Sequence, residues 1–219
     1  MSALFITFEG PDGSGKSTHL GRAGEWLAGL GVAACCTKEP GGTPLGEAVR
    51  AVFLDPQWGE LDGRVEALLV FASRRQHLLE VIEPGLAAGR HVLCDRFTDS
   101  SLVYQGVGRG LGREWVEALD GLATGGRRPD HTLLFDLPPE RAYARGRSAK
   151  RRRQGDVDRI DSEGPAFYRR VRDAYLELAA REPRRFETVD SSGDKETTWR
   201  QVRAVLGRWL GVPPEGGTD

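Results

Sequence analysis

The segment that most restricts the fold of this chain is a glycine-rich run at residues 10–17, Gly-Pro-Asp-Gly-Ser-Gly-Lys-Ser, with the spacing G-x-x-x-x-G-K-[ST]. Glycines at this spacing let the backbone wrap closely around an anion, with successive N–H groups facing one concavity. In such a loop Lys16 can reach the β- and γ-phosphates of a nucleotide, and the Ser17 hydroxyl can help to hold Mg²⁺. The run therefore predicts a binding site for a nucleoside triphosphate.

The residues on either side of the loop have the patterns of a strand and a helix. Residues 4–8, Leu-Phe-Ile-Thr-Phe, form a short apolar run typical of a strand. Residues 19–30 have apolar side chains at helical spacing and are followed by Gly31, which predicts a helix end. Because a helix N-terminus aimed at the loop also favours an anion, this context favours a phosphate site over a chance glycine-rich turn.

Strand-like and helical segments alternate along the rest of the chain. We expect further strands at residues 32–37, 91–95, 132–137 and 186–190, and helices after residue 43 and at 64–83, 113–122, 168–180 and 197–210. This alternation predicts an α/β fold, a parallel sheet with helices on both faces. Ligands of such sheets collect at the carboxyl ends of the strands. We therefore expect one site built from residues 10–17, 39–42, 95–96 and 190–192.

Length and composition favour a single globular domain. The chain has 219 residues, of which 39% are hydrophobic and 29% charged. We expect one domain over residues 1–212 and a frayed tail over 213–219. The 64–83 helix is apolar around much of its circumference, which predicts that the core covers one side and a second subunit another.

Charge, hydropathy and cysteine content argue against nucleic-acid-binding, membrane and cysteine-ligated metal proteins. A net charge of −1 gives no overall reason to expect nucleic acid or an anionic membrane as a partner. No apolar run approaches the ~20 residues of a membrane span, and the chain enters its first strand at once, which leaves no room for a signal peptide. Cys35, Cys36 and Cys94 lack the spacing of a metal site and are interpreted as buried apolar residues in a reducing cytoplasm.

Two features outside the loop carry charges that phosphoryl transfer requires. Asp95 ends an apolar strand, where a carboxylate can reach the water shell of a metal ion; the alternative is a helix cap or a surface acid. Arg96 follows it and can bind a second phosphate with two hydrogen bonds. Residues 141–153 contain seven basic residues and no acid. They fit a mobile lid whose arginines close over the triphosphate, and the alternatives are a nucleic-acid or targeting patch and a solvated helix face.

The motifs taken together resemble the thymidylate kinase family over residues 4–210. Beyond the loop, the landmarks are Glu-Pro-Gly-Gly-Thr at 39–43, Phe-Ala-Ser-Arg at 71–74, Asp-Arg-Phe at 95–97, Ser-Ser at 100–101, Tyr-Gln-Gly at 104–106, Arg-Pro-Asp at 128–130 and Asp-Arg-Ile at 158–160. The resemblance implies a three-layer P-loop nucleoside-monophosphate-kinase-like fold. It also implies an enzyme that phosphorylates dTMP to dTDP with ATP and Mg²⁺, as a cytoplasmic homodimer without nucleic-acid or membrane partners.

The same resemblance implies roles for individual residues. ATP would be bound by Gly10, Pro11, Asp12, Gly13, Ser14, Gly15, Lys16, Ser17 and Thr18. The acceptor dTMP would be bound by Asp12, Glu39, Arg50, Phe71, Arg74, Arg96, Ser101, Tyr104 and Gln105. The catalytic residues would be Lys16, Asp12 and Arg96, with Arg152 and Arg153 supplied by a lid at about residues 141–160 because the loop has no arginine. Ser17, and Asp95 through water, would hold Mg²⁺.

One position departs from the family pattern. The family has a phenylalanine four residues before the thymine-binding arginine, where this chain has Val70, and Phe71 is the next residue. Either Phe71 stacks on thymine or Val70 provides an apolar wall. Two other functions stay open from the residues alone. One is a kinase of the same fold with a different nucleotide or nucleoside acceptor, and the other is a P-loop regulatory or nucleic-acid-binding protein that uses the basic stretch.

Overall fold

Five parallel strands form the centre of the fold. The computed structural model describes residues 2–152 and 164–213, and the side chains of residues 2–145 and 164–213. The strands are β1 (Phe5–Glu9), β2 (Ala34–Lys38), β3 (His91–Asp95), β4 (His131–Asp136) and β5 (Phe186–Asp190). They lie side by side in the order β2-β3-β1-β4-β5, and all neighbouring pairs are parallel. The predicted α/β class is confirmed, with each strand within one or two residues of its predicted limits.

Helices connect the strands. They are α1 (Lys16–Gly29), α2 (Pro44–Leu54), α3 (Gly63–His77), α4 (Glu83–Ala87), α5 (Thr98–Ser101), α6 (Arg113–Thr124), α7 (Pro139–Arg152), α8 (Pro165–Arg181) and α9 (Lys195–Leu210). The predicted 64–83 helix is observed as α3, a π-helical turn at Leu78–Ile82 and α4. The Thr43 side chain accepts a hydrogen bond from the Gly46 N–H, as expected of an N-cap before Pro44. In the part of the chain described here, no helix has the length and hydropathy needed to cross a membrane.

Alternate residues of the strands pack on opposite faces of the sheet, as the two-residue period of a strand requires. Ile6 and Phe8 of β1 pack with α1 and α9, where Leu27 and Leu206 are fully buried. Phe5 faces the other way and packs against the π-helical turn after α3. Helices therefore cover both faces, as the alternating pattern predicted.

Strand register brings the ends of β1, β2 and β3 together. Phe8 pairs with Asp95 across β1 and β3, and Lys38 pairs with the same residue from β2. The segment 190–192, which we expected at the same site, follows β5 at the outer edge of the sheet. There the Ser191 carbonyl accepts a hydrogen bond from Arg145 Nη1 at 2.9 Å. Segments 10–17, 39–42 and 95–96 thus converge. Segment 190–192 lies at the same carboxyl edge, beyond β4, whose Phe135 carbonyl oxygen lies close to Gly10 of the loop. Its part in the site stays a prediction.

A buried ion pair joins α5, which follows β3, to the residue just before β5. Arg185 donates from Nη1 to Asp99 Oδ2 at 2.6 Å and from Nη2 to Oδ1 at 2.8 Å. Asp99 is 1% exposed, and Thr132 Oγ1 accepts a further bond from the same arginine at 2.7 Å. A pair in this setting is sensitive to loss of one partner, since the other charge is then buried alone.

We expect Arg185→Ala to lower the free energy of unfolding by about 3 kcal/mol or more, because the Asp99 carboxylate loses its partner. The control is Arg208→Ala, which removes an ion pair to Glu187 whose side chains are 58% and 44% exposed. Such a surface pair contributes about 1 kcal/mol or less. Urea unfolding of both variants checks the prediction, and equal losses would contradict it.

Candidate active site

The glycine-rich loop lies between β1 and α1, and its backbone has a shape that needs glycine. Gly10 has φ 137°, and a Cβ at this position would lie 2.5 Å from the Phe135 carbonyl oxygen. Helix α1 begins at Lys16, so its first N–H groups face the loop. The loop therefore has the form that phosphate binding requires, an anion-binding turn at a helix N-terminus.

Lys16 is folded back into the loop. Its Nζ donates a hydrogen bond to the Pro11 carbonyl oxygen at 2.9 Å, and the side chain is buried. Burial and the nearby Arg96 guanidinium together lower the pKa of Lys16 to about 8, while Asp95 and Asp12 oppose the shift. An anion entering the loop would favour the charged form of this lysine.

Ser17 and Asp95 form a pair of oxygen donors beside the loop. The Ser17 hydroxyl donates to Asp95 Oδ2. The other oxygen, Oδ1, is buried and has no hydrogen-bond partner among the described residues. Within those residues no group of three His, Cys, Asp or Glu side chains could hold a metal alone. Mg²⁺ prefers few protein ligands and completes its shell with phosphate and water, so this pair fits that ion.

Arg96 faces the loop from the end of β3. Its Nη2 donates to Asp12 Oδ1 at 2.7 Å and to the Tyr104 hydroxyl at 3.2 Å. Its Nη1 donates to Ser100 Oγ at 2.9 Å and to the Tyr175 hydroxyl at 3.3 Å. The guanidinium carbon also lies 4.9 Å from the centre of the Tyr104 ring. These five contacts fix the orientation of the Arg96 guanidinium group at the entrance of a cleft.

The cleft has a volume of about 100 Å³ and combines a few charged side chains with apolar walls. Its lining residues are Asp12, Glu39, Pro40, Arg50, Phe53, Leu54, Val70, Arg74, Arg96, Phe97, Ser100, Ser101, Tyr104 and Gln105. Eight of the nine residues predicted to bind the acceptor are among them, and Phe71 is the exception. A concave site of this composition is typical for a small polar ligand with a flat apolar part.

Arg74 is held rigidly in the wall of the cleft. Its Nε donates to Glu39 Oε2 at 2.7 Å and its Nη2 to Ser101 Oγ at 3.0 Å. The guanidinium carbon lies between two rings, 4.4 Å from the centre of Phe71 and 4.9 Å from that of Phe97. Since the side chain is only 1% exposed, these contacts leave it a single orientation.

Val70 and Phe71 therefore have different places. Val70 lines the cleft, whereas Phe71 is 2% exposed and lies against the Arg74 guanidinium. Of the two alternatives from the sequence, this arrangement matches the apolar wall at Val70. The physical reason is helical geometry, since consecutive residues of α3 are about 100° apart and cannot both face the cleft.

Sequence reasoning missed Glu9, the last residue of β1. Its carboxylate is fully buried and accepts hydrogen bonds from the Phe97 N–H at 2.7 Å, Ser100 Oγ at 2.6 Å and the Tyr175 hydroxyl at 2.9 Å. Burial and the neighbouring Asp99 together raise the pKa of Glu9 to about 7, while Arg96 opposes the shift. An acid in an otherwise apolar strand next to the loop was the available signal.

The predicted lid lies mostly outside the described residues. Arg153 is not described, and Arg152 ends α7 with a side chain that is not described either. Two other arginines of the basic stretch are described, and both bind backbone. Arg141 and Arg145 donate to the carbonyl oxygens of Ser192 and Ser191 at 2.5 and 2.9 Å. The structure thus shows the start of the basic stretch anchored to the loop after β5.

A phosphate-binding loop and a second cationic group across one cleft, at the edge of a parallel sheet, define a P-loop kinase of the nucleoside monophosphate kinase class. Comparison with known proteins identifies the family within this class. The thymidylate kinase family model matches residues 8–202. The chain belongs to the thymidylate kinase family, whose members phosphorylate dTMP to dTDP.

Relatives of the same name cover almost the whole chain. A thymidylate kinase of Pseudomonas syringae pv. syringae is 50% identical over 210 residues, covering 94% of each chain. One of Pseudomonas putida is 47% identical over 206 residues, covering 94% of this chain and 96% of the relative. The crystal structure of thymidylate kinase from Ehrlichia chaffeensis superimposes with a TM-score of 0.74 at 32% identity, covering 94% of this chain and 99% of that one.

The pKa of Glu9 predicts a pH dependence of stability. In the unfolded chain the carboxyl ionises near its usual pKa of 4.5, and in the folded chain near 7. The stabilisation from the bound proton is therefore complete below pH 4.5 and is lost as the pH rises through about 7. Glu9→Gln has no such proton, so the free energy of unfolding of the native chain should fall relative to this variant between pH 5 and 8.

Urea unfolding at pH 5, 6, 7 and 8 measures this difference. Glu60→Gln, at an exposed side chain, is the control and should show a much smaller change with pH. A constant difference between the native chain and Glu9→Gln over this range would show that Glu9 is ionised throughout.

Proposed function

We propose that this chain transfers the γ-phosphoryl group of ATP to the phosphate of dTMP, with Mg²⁺, and releases ADP and dTDP. The observation that carries the proposal is the arrangement of Arg96 opposite the loop. In this arrangement Lys16 would contact the phosphates of the donor, and Arg96 would contact the phosphate of the acceptor. Phosphoryl transfer needs this arrangement, since the protein contributes positioning and positive charge rather than covalent chemistry.

The donor half of the site is residues 10–18. The backbone N–H groups and the N-terminus of α1 would hold the phosphates of ATP, and the Lys16 ammonium would lie against the transferred group. Ser17 directly, and Asp95 through water, would hold the metal, which the fit of their oxygens supports. A Mg²⁺ ion held there would neutralise charge on the phosphates.

The acceptor phosphate would be bound by Arg96, with Arg50 nearby. Arg50 lines the same cleft and donates from Nη1 to the Pro40 carbonyl oxygen at 3.0 Å. Asp12 contacts Arg96 and also accepts a hydrogen bond from Tyr104 at 3.3 Å. We assign Asp12 to the region between the acceptor phosphate and the sugar, where it keeps the arginine fork in line with the loop.

The thymine base would lie deeper in the cleft. Arg74 and Gln105 offer hydrogen bonds to its edge, Ser101 and Glu39 fix Arg74, and Val70 gives an apolar contact. Phe71 would act beneath Arg74 rather than against the base. Tyr104 lies on the wall where the sugar would pass, and its bulk disfavours a ribose 2′-hydroxyl. The catalytic arginine of the lid would be Arg152 or Arg153.

We further propose that the chain is a cytoplasmic homodimer. Exposed apolar side chains lie along one side of α3 and its continuation, at the helical spacing of Val65, Leu68, Ala72 and Leu79. Leu45 and Val52, seven residues apart on the adjoining α2, are also exposed. Monomers seldom expose a contiguous apolar surface of this kind, so a second copy of the chain is its expected cover.

We expect dTMP to be the best acceptor in an assay of ADP release across dTMP, dUMP, dCMP, dGMP and thymidine. The 5-methyl group of thymine in an apolar pocket is worth about tenfold or more in kcat/KM over dUMP. Chelation of divalent cations should abolish turnover, and Lys16→Ala serves as the control for contaminating kinases. Preference for thymidine would assign a nucleoside kinase instead. Salt-sensitive DNA binding without transfer to any nucleotide would favour a regulatory P-loop protein.

We expect Leu68→Glu to convert the dimer to a monomer, because it places a charge in the centre of the apolar stripe. The matched control is Leu122→Glu on α6, whose leucine is 83% exposed and lies outside the stripe. Sedimentation equilibrium distinguishes the two masses. A native chain that sediments as a monomer, or a Leu68→Glu variant that stays dimeric, would refute the proposed interface.

A further inference from the structure

Arg96 has a backbone conformation that its surroundings must hold. Its φ is 71°, in the left-handed region, and it is the one residue other than glycine with positive φ in the described part of the chain. Such a conformation is unfavourable for a side chain with a Cβ and persists where the neighbouring structure fixes it. The Arg96 N–H donates to the Phe8 carbonyl oxygen at 3.0 Å, which fixes the peptide before it.

The peptide after Arg96 is fixed by Glu9. The Phe97 N–H donates to Glu9 Oε1 at 2.7 Å, and both residues are fully buried. A buried hydrogen bond to a carboxylate is stronger than one between neutral groups. Glu9 therefore holds the backbone of Arg96 on the side that the β1–β3 ladder does not reach.

The second oxygen of Glu9 acts on the guanidinium group. Glu9 Oε2 accepts from Ser100 Oγ at 2.6 Å and from the Tyr175 hydroxyl at 2.9 Å. Both hydroxyl oxygens in turn accept from Arg96 Nη1. Because each hydroxyl gives its proton to Glu9, its lone pairs are turned toward the arginine.

We propose that Glu9 is the positioning residue of Arg96. One carboxylate fixes both the strained backbone of the arginine, through Phe97, and the direction of its fork, through Ser100 and Tyr175. Glu9 does not line the cleft and touches no substrate in this scheme. The inference rests on the proposed role of Arg96 in binding the dTMP phosphate.

The arrangement also ties a distant helix to the acceptor site. Tyr175 lies in α8, which follows the segment 153–163 in the chain, and its side chain is 1% exposed. Its hydroxyl contacts Glu9, Ser100 and Arg96 together. Tyr175→Phe therefore removes one hydroxyl from the network without altering its packing, which makes it the milder test variant.

The test is a double-mutant cycle read by dTMP binding. Isothermal titration calorimetry at pH 8, where Glu9 is ionised, measures the Kd of dTMP for the native chain and for Glu9→Gln, Tyr175→Phe, Arg96→Ala and the two combinations with Arg96→Ala. We expect Glu9→Gln to weaken dTMP binding about tenfold and Tyr175→Phe by less. In the Arg96→Ala background both should change the Kd by less than about twofold, because their effect passes through the arginine. The Kd of a fluorescent ATP analogue should stay within about twofold for Glu9→Gln and Tyr175→Phe.

The control variant is Thr198→Val, which removes another buried hydroxyl; within the described residues, its bonds go only to the backbone carbonyls of residues 190 and 194. It should leave the Kd of dTMP unchanged.

Two results would overturn the positioning role. One is equal weakening of dTMP binding by Tyr175→Phe in the native and Arg96→Ala backgrounds. The other is a loss of ATP-analogue binding that matches the loss of dTMP binding. If Glu9→Gln does not fold, the double-mutant cycle of Tyr175→Phe with Arg96→Ala still tests the proposal. If Arg96→Ala itself binds dTMP as tightly as the native chain, the proposed function of Arg96 fails, and the positioning role fails with it.

Discussion

The contact between the ends of β1 and β3 is the interaction on which the rest of this site depends. The register pairs Phe8 with Asp95, so the chain leaves β1 toward the triphosphate loop and leaves β3 toward Arg96 at the same level of the sheet. The hydrogen bond from the Arg96 N–H to the Phe8 carbonyl oxygen continues this ladder by one residue. A shift in register would separate the two phosphate sites and turn the alternating side chains to the wrong faces.

Charge in the cleft is balanced in pairs before substrates arrive. Arg96 faces Asp12, and Arg74 faces Glu39, each at 2.7 Å. Lys16 instead donates from Nζ to the Pro11 carbonyl oxygen at 2.9 Å. Burial and the nearby Arg96 guanidinium lower its pKa, against the opposing charges of Asp95 and Asp12. Fixed, paired cations lose little freedom when a phosphate binds, which is the physical basis of preorganised electrostatic stabilisation.

Much of the fold and of the acceptor site was predictable from local signals, and the misses have identifiable causes. Strand ends and the loop were predicted because buried strands and glycine spacing leave clear patterns. Phe71 could not be assigned, since only the rotation of α3 decides which of two adjacent residues faces the cleft. Glu9 was missed because its three donors come from segments about 90 to 170 residues away in the chain. The position of residues 190–192, one strand beyond β4, could not be predicted because sequence patterns do not give the order of strands in a sheet.

The sequence by itself determined the class of ligand, the parallel α/β architecture and the family, because each depends on short motifs whose spacing has one physical use. Tertiary structure decided which residues share a wall of the cleft, how Arg96 is held in a left-handed conformation and where the start of the basic stretch is anchored. These depend on strand order, helix rotation and hydrogen bonds between distant segments. Strand order, helix rotation and long-range hydrogen bonds form only when the chain packs, so they cannot be predicted from local sequence patterns.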